Sequence, residues 1–392
     1  MAASVPWTDS SHCNTKRKLE VELSPEDRLR VQRRRVAAIV RKYLKPGLLL
    51  PALPEGWLVQ DLPHSPLDFG SQFVLPLHKP RLLSFLFPHP RDCRVKFYAR
   101  DHKYEIDGVP TLGSVTGLVH SFCESFDSSA VIPRMQASAN WPRQGYLKQS
   151  LSEDLIDQLR QIPSSEELLS SLFWLGEDEQ QIAVAAQQLK YMRPEFAHVI
   201  DLLALDAAQI KIMWEENGQK SANQGTWMHY TFELFLNCDR VNLNTPEMNL
   251  FLAFLRDFAE HRAFRTEWEI FGEPEQLAGS VDLVLQASDG SLVIVDWKRT
   301  AHLSGKYQNA YQNLKEPLSH LPDCSGIHYR LQLNCYRYLI QKYYNFSVSS
   351  MVVVSCYPND SGRPFVDDVP VMEWETERLM SFQRMRVACR AT

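Results

Sequence analysis

The chain has 392 residues, 44% of them apolar, with 9 tryptophans, 8 cysteines and a formal net charge of −5. That is material for a packed core, in one large domain with extensions or in two ordinary ones. No run of about 18 apolar residues occurs, which excludes a membrane-spanning helix and makes a soluble protein the expectation. The cysteines (Cys13, Cys93, Cys123, Cys238, Cys324, Cys335, Cys356 and Cys389) include no CxxC pair and lack zinc or iron–sulfur spacing, so reduced thiols in an intracellular protein are expected.

Residues 1–50 form a basic segment, partly helical or disordered. Within it, residues 16–45 hold eleven Lys/Arg against four acids, so the bulk of the chain is acidic and nucleic acid would be met through local basic features. Ser24 is a fitting N-cap with Pro25 at the first helical position, which gives a solvated helix as the plain reading. The clusters "KRK" and "RRR" could be read by nuclear import machinery or touch phosphates; the solvated helix and the import reading weigh about evenly, with an organellar presequence behind both.

Residues 51–94 are proline-rich and read as an extended, irregular connection over a core. Residues 95–220 read as strands followed by helices, the N-terminal part of a folded domain. "VKFYARDHKYEIDGVPTLGSVTGLVHSF" predicts two short strands joined at Asp107-Gly108, then a helix starting near Ser114 and Thr116, where an ordinary N-cap outweighs a phosphate site. "SEDLIDQLRQI", "SEELLSSLFWL", "DEQQIAVAAQQLKYM" and "DAAQIKIMWEENGQKS" predict helices.

Residues 221–392 carry the chemistry-bearing core. "ANQGTWMHYTFELFL" places His229 and Glu233 on one helical face. An amphipathic helix, "PEMNLFLAFLRDFAEHRA", precedes "FRTEWEIFG", a strand expected to put Thr266, Trp268 and Ile270 on one face and Glu267 with Glu269 on the other. "LAGSVDLVLQA" and "SLVIVDWKRT" form a hairpin through Ser288-Asp289-Gly290; a helix, "IHYRLQLNCYRYLIQKYY", and a buried strand, "SSMVVVSCYP", follow. Helix, three strands, helix and strand predict an α/β fold, a mixed β-sheet flanked by helices, with a helical N-terminal extension.

Adjacent strands lie about 4.8 Å apart, so Glu267, Asp282 and the Asp296/Lys298 pair can meet at one level of such a sheet. In Asp296-Trp297-Lys298, alternation sets acid and amine on one side and Trp297 on the other. Two facing aspartates repel unless a cation lies between them, and oxygen donors select Mg²⁺ or, with a histidine, Mn²⁺. Such an ion polarises a phosphoryl oxygen and acidifies a water, while the lysine orients that water or stabilises charge on the phosphate. The chemistry indicated is phosphodiester hydrolysis.

The motifs "GTWMHYTFE", "TEWEI", "AGSVD", "VIVDWK" and "QLNCY", with "TLGSVTGLVHSF" upstream, resemble the PD-(D/E)XK nucleases, and within them the RecB-like branch that includes the mitochondrial genome maintenance exonucleases. The resemblance spans roughly residues 95–385 and implies a restriction-endonuclease-like core. It implies His229, Asp282 and Asp296 as metal ligands with the Trp297 carbonyl, Glu267 acting on the metal or its water, Lys298 as the catalytic lysine, and Gln332 with Tyr336 buttressing the lysine or positioning the phosphate. Glu267 is preferred over Glu269 by its distance to Gly279, and Glu233 is read as a support for the His229 helix. Arg299 stands where many relatives have a small hydroxyl residue, displaced here to Thr300.

A metal-dependent deoxyribonuclease acting on single-stranded DNA or ends is therefore expected, with exo- or endonucleolytic action and RNA left open. Its cofactor would be Mg²⁺ or Mn²⁺; neither a membrane nor an iron–sulfur cluster is expected as a partner. Arg143, Lys148 and the basic segment near residue 30 are candidate contacts to the nucleic-acid backbone, with solvated charges carrying at least equal weight. The setting is intracellular, the nucleus ahead of the mitochondrion. The alternatives are a non-catalytic nucleic-acid-binding or assembly protein on a nuclease fold, and a hydrolase of a small phosphorylated metabolite.

Overall fold

The computed structural model describes residues 81–391 apart from 100, 149–153, 155–156, 158–160, 162–178, 240 and 310. The basic segment at residues 1–50, and most of the helices expected at "SEDLIDQLRQI" and "SEELLSSLFWL", lie outside the described residues. No described helix is long and apolar enough to cross a membrane.

In chain order the elements are α1 (Leu82–Leu86), β1 (Val95–Tyr98), β2 (Lys103–Ile106), β3 (Val109–Pro110), β4 (Gly113–Ser114), α2 (Val115–His120), α3 (Ser128–Gln136), α4 (Glu179–Met192), α5 (Ala197–Leu203), α6 (Ala207–Leu236), α7 (Pro246–Arg256), β5 (Arg262–Gly272), β6 (Leu277–Gln286), β7 (Leu292–Lys298), α8 (Ser325–Tyr343), β8 (Val348–Ser355), β9 (Phe365–Asp368) and α9 (Glu373–Ala391). The main sheet runs β4-β6-β7-β8-β9 with β5 also paired to β6, and it is mixed: β4 with β6 and β7 with β8 are parallel, the rest antiparallel. The expected α/β architecture is therefore present.

Strand β7 explains the layering. Its Leu292 and Ile294 join the core shared with α2, α8 and α9, whereas Val293, Val295 and Trp297 join the core built by α6 and α7. A strand apolar on both faces is what a central position between two helical layers demands. Trp297 is held in the α6/α7 layer by Phe232, Phe251 and Phe254, at ring-centroid distances of 5.4, 5.4 and 5.2 Å.

Three local expectations need correction. "VKFYARDHKYEI" folds as two antiparallel strands, β1 and β2, and the Asp107-Gly108 turn, with both residues at positive φ, joins β2 to β3. The segments ending "GQKS" and beginning "ANQG" form one continuous helix, α6, which starts at an Asp206/Gln209 capping box and runs through Gly218 and Gly225. Residues 81–94 of the supposed irregular connection are an anchor. Leu82 and Leu83 are fully buried, the Leu83 N–H donates to Asn237 Oδ1 (2.9 Å), and Arg81 donates to both carboxylate oxygens of Glu233 (2.7 and 3.2 Å).

The helix expected near Ser114 is present with an ordinary cap, Ser114 Oγ accepting from the Gly117 N–H at 3.0 Å. Its next residue, Val115, packs against β6 at Gly279, where a Cβ would lie 3.2 Å from Val115 Cγ2 and 2.6 Å from Tyr336 Cε1. Only a residue without a side chain lets the Tyr336 ring approach the sheet there. Gly279→Ala is expected to destabilise the fold by about 1–3 kcal/mol through overpacking, read from denaturant unfolding; an unchanged midpoint would contradict this contact.

Candidate active site

Strand β6 is paired along one edge by β5 and along the other by two strands in turn. It pairs with β7 over Leu283–Gln286 and with β4 over Leu277 and Ala278, so residues 279–282 have no strand partner on that edge. Asp282 lies in this gap. Its Oδ2 accepts the Trp297 backbone N–H at 2.8 Å, a side chain taking the place of the missing ladder partner.

Across the gap, Asp296 and Lys298 leave β7 on the same side, as alternation predicted, with Lys298 Nζ 2.5 Å from Asp296 Oδ2. His229 reaches in from the buried half of α6, its Nδ1 3.4 Å from Asp282 Oδ2 and 3.9 Å from Glu267 Oε1. Glu267 is steadied by the Ser280 hydroxyl, which donates to Oε2 at 2.9 Å.

Glu267 has a φ of +42°, left-handed backbone within a strand. This corrects the expected alternation of β5. Thr266 accepts a hydrogen bond from Asn237, the C-cap of α6 (2.8 Å), while Trp268 and Ile270 belong to the core on the α8 side. The reversal at Glu267 delivers its carboxylate to His229, and strain at such a residue persists only where the surroundings enforce it. Glu269 contributes no atom to the His229/Glu267/Asp282 group. Burial and the neighbouring Glu267 charge push its carboxyl up to about 7.

The donor set fits a hard divalent cation. His229, Glu267 and Asp282 each offer one ligand atom, all within 4.8 Å of one another. Asp296 is 1% exposed, and apart from the contact with Lys298 neither of its buried oxygens accepts a hydrogen bond, an arrangement that is costly without a cation. Solvent reaches the site from the side of His229 and Glu267, whose side chains are 28% and 30% exposed against 2% for Asp296.

The electrostatics follow from the crowding. Burial lowers the His229 pKa but the Asp282 and Glu267 carboxylates outweigh it and hold the imidazole up to about 9; burial raises Asp282 to about 7. The metal-free cluster thus keeps a proton near neutrality, shared between His229 and Asp282. Burial raises Glu267 too, yet the charge of the neighbouring His229 imidazolium, the Ser280 hydrogen bond and Lys298 leave it below its ordinary value. For Lys298, burial is overcome by Asp296 and Asp282, which hold the ammonium up to about 12.

Gln332 and Tyr336, one turn apart on α8, meet each other: Gln332 Nε2 donates to the Tyr336 hydroxyl at 2.8 Å. Tyr336 is buried beside Asp296 and Asp282, and burial raises its phenol well above the ordinary value. Two neighbours escaped the sequence reading. Tyr329, on the same face of α8, lies under the Lys298 ammonium at 4.8 Å from ring centroid to Nζ. Ser280 stood inside the quoted "AGSVD", and its place opposite Glu269 in the register could have identified it.

Three of the remaining candidates are otherwise engaged. Glu233 is paired with Arg81, a support for α6 as expected, and Arg299 turns to Glu247 at 3.0 Å, away from the site. Lys148 Nζ donates to the Leu202 carbonyl at 2.9 Å, while Arg143 is exposed.

The sequence profile of the PD-(D/E)XK nuclease superfamily matches residues 91–373, which takes in every residue of this cluster. The chain belongs to that superfamily. No match was found among curated proteins. Membership in the PD-(D/E)XK superfamily supports a phosphodiester hydrolase in general and implies a nucleic-acid substrate; nucleases of this superfamily generally use divalent metal ions.

Because His229 must lose its proton before Nδ1 can act as a ligand, divalent-metal binding is expected to release protons near neutral pH, and affinity should climb as pH rises towards about 9. Calorimetric titration in buffers of different ionisation heat reads this release directly. It should diminish in His229→Gln, and a pH-independent affinity in the unaltered protein would contradict the assignment.

Proposed function

We propose that the protein is a Mg²⁺- or Mn²⁺-dependent deoxyribonuclease of the RecB-like kind, acting on single-stranded DNA or DNA ends. The observation that carries the reading is the Asp296–Lys298 pair on β7, 2.5 Å apart, beside the His229/Glu267/Asp282 group on three neighbouring elements. The similarity to mitochondrial genome maintenance exonucleases supports the preference for single strands and ends.

His229, Asp282, Asp296 and the Trp297 carbonyl would hold the ion, which when bound polarises a phosphoryl oxygen and lowers the pKa of the attacking water. Lys298, an ammonium held beside Asp296 in the metal-free protein, stabilises the negative charge that builds on the phosphate. Glu267, open to solvent beside His229 and fixed by the Ser280 hydroxyl, acts on the ion or on its water, which it orients for attack. Gln332 and Tyr336 hold α8 against the sheet and set the position of the scissile phosphate. An intracellular and foremost nuclear setting, with the mitochondrion second, rests on the basic clusters at residues 16–45.

The test is incubation of 5′- and 3′-labelled single- and double-stranded DNA with Mg²⁺, Mn²⁺ or EDTA. Metal-dependent cleavage is expected, abolished in Asp296→Ala. Lys298→Ala should lower kcat by roughly 10²–10³-fold while metal binding persists, the size typical of losing one transition-state charge partner. Salt-sensitive DNA binding without cleavage in any metal would favour a non-catalytic protein on this fold.

A further inference from the structure

A second convergence of metal-binding side chains lies away from the nuclease cluster. Cys123, just beyond α2, meets Asp323 and His328, which flank and enter the first turn of α8; each offers one ligand atom within 4.8 Å of the others. Both partners aim at the same ring nitrogen: Cys123 Sγ is 3.2 Å and Asp323 Oδ1 2.7 Å from His328 Nε2. The thiol also lies 3.7 Å from the Val119 carbonyl, and one Nε2–H can at best be divided between the carboxylate and the sulfur, whereas a cation between the three would engage a full lone pair from each.

The surroundings hold this trio in place. Asp323 Oδ2 accepts the Glu124 N–H at 2.9 Å, and Lys315 Nζ donates to the Cys123 carbonyl at 2.8 Å. His120, at the end of α2, places its ring 5.9 Å from that of His328. Burial and the Asp323 charge push the Cys123 thiol up to about 12, which speaks against a reactive nucleophile in the metal-free protein. His328 and Asp323 keep side-chain exposures of 17% and 9%, so an ion has a way in.

We propose that Cys123, Asp323 and His328 form a second, structural metal site for Zn²⁺ or a similar thiolate-binding cation, with the fourth position taken by His120 or water. One thiolate, one carboxylate and one imidazole make a neutral shell around a divalent ion and match the donors zinc accepts in tetrahedral sites. The ion would clip the end of α2 to the start of α8, the helix that carries Tyr329, Gln332 and Tyr336 to the nuclease cluster. His328 stands 205 positions beyond Cys123 in sequence, which is why no spacing motif announces the site.

Co²⁺ titration of the full chain tests this, because only a site with a thiolate gives sulfur-to-cobalt charge-transfer absorption in the near ultraviolet. The nuclease cluster has no sulfur donor and is silent in that band. About one equivalent of Co²⁺ per chain should develop the band, Zn²⁺ should bleach it and excess Mg²⁺ should leave it. The band should vanish in Cys123→Ser and survive in Asp282→Asn. Cobalt uptake without the band, a band that persists in Cys123→Ser, or bleaching by Mg²⁺ would each overturn the proposal; the first and third require no variant to fold.

Discussion

Four residues of β6, from Gly279 to Asp282, have no strand beside them on one edge, and the active-site geometry follows from that gap. On its other edge β6 stays paired to β5, and β7 stays paired to β8 as far as Lys298, so the opening is a fixed feature of a well-supported sheet. Into it come the Asp282 carboxylate, tied to the Trp297 N–H, and the ring of Tyr336 against Gly279. A continuous ladder would have filled this space with backbone hydrogen bonds and left the aspartates nothing to enclose.

The gap also explains why charge is tolerated so deep in the molecule. Asp296 lies almost wholly inside with its oxygens lacking hydrogen bonds, against one lysine whose ammonium is itself drawn over a tyrosine ring. Packing beneath it is rigid: Trp297 is wedged among three phenylalanines, so β7 cannot shift to relieve the repulsion between Asp282 and Asp296. Fixed carboxylates with a retained proton and a solvent path are a site prepared to exchange that proton for a cation. The Arg81–Glu233 pair does for α6 what Trp297 does for β7, fixing the helix one turn beyond His229.

How much of this could be read in advance depended on the range of the interaction. The Asp-x-Lys alternation, the hairpin after Asp282, the Ser114 cap and the His229/Glu233 spacing are local, and each stands in the structure where the chain pattern put it. The left-handed turn of the backbone at Glu267 left no trace in "FRTEWEIFG", because nothing within the strand requires it; contacts from α6 and β6 impose it. Residues 81–94 looked irregular since their prolines hide a short helix whose two leucines matter only once Asn237 and Glu233 are nearby. Tyr329 went unnoticed for the same reason: its partner lies on another element.

The central claim is that β6, β7 and α6 enclose one divalent ion between Asp282 and Asp296. Anomalous diffraction from crystals grown with Mn²⁺ tests it most directly. A single strong peak within coordination distance of His229, Asp282 and Asp296 is the expected result. A fully occupied Mn²⁺ peak elsewhere, with the Asp282–Asp296 space filled by solvent or closed by Lys298, would contradict the account.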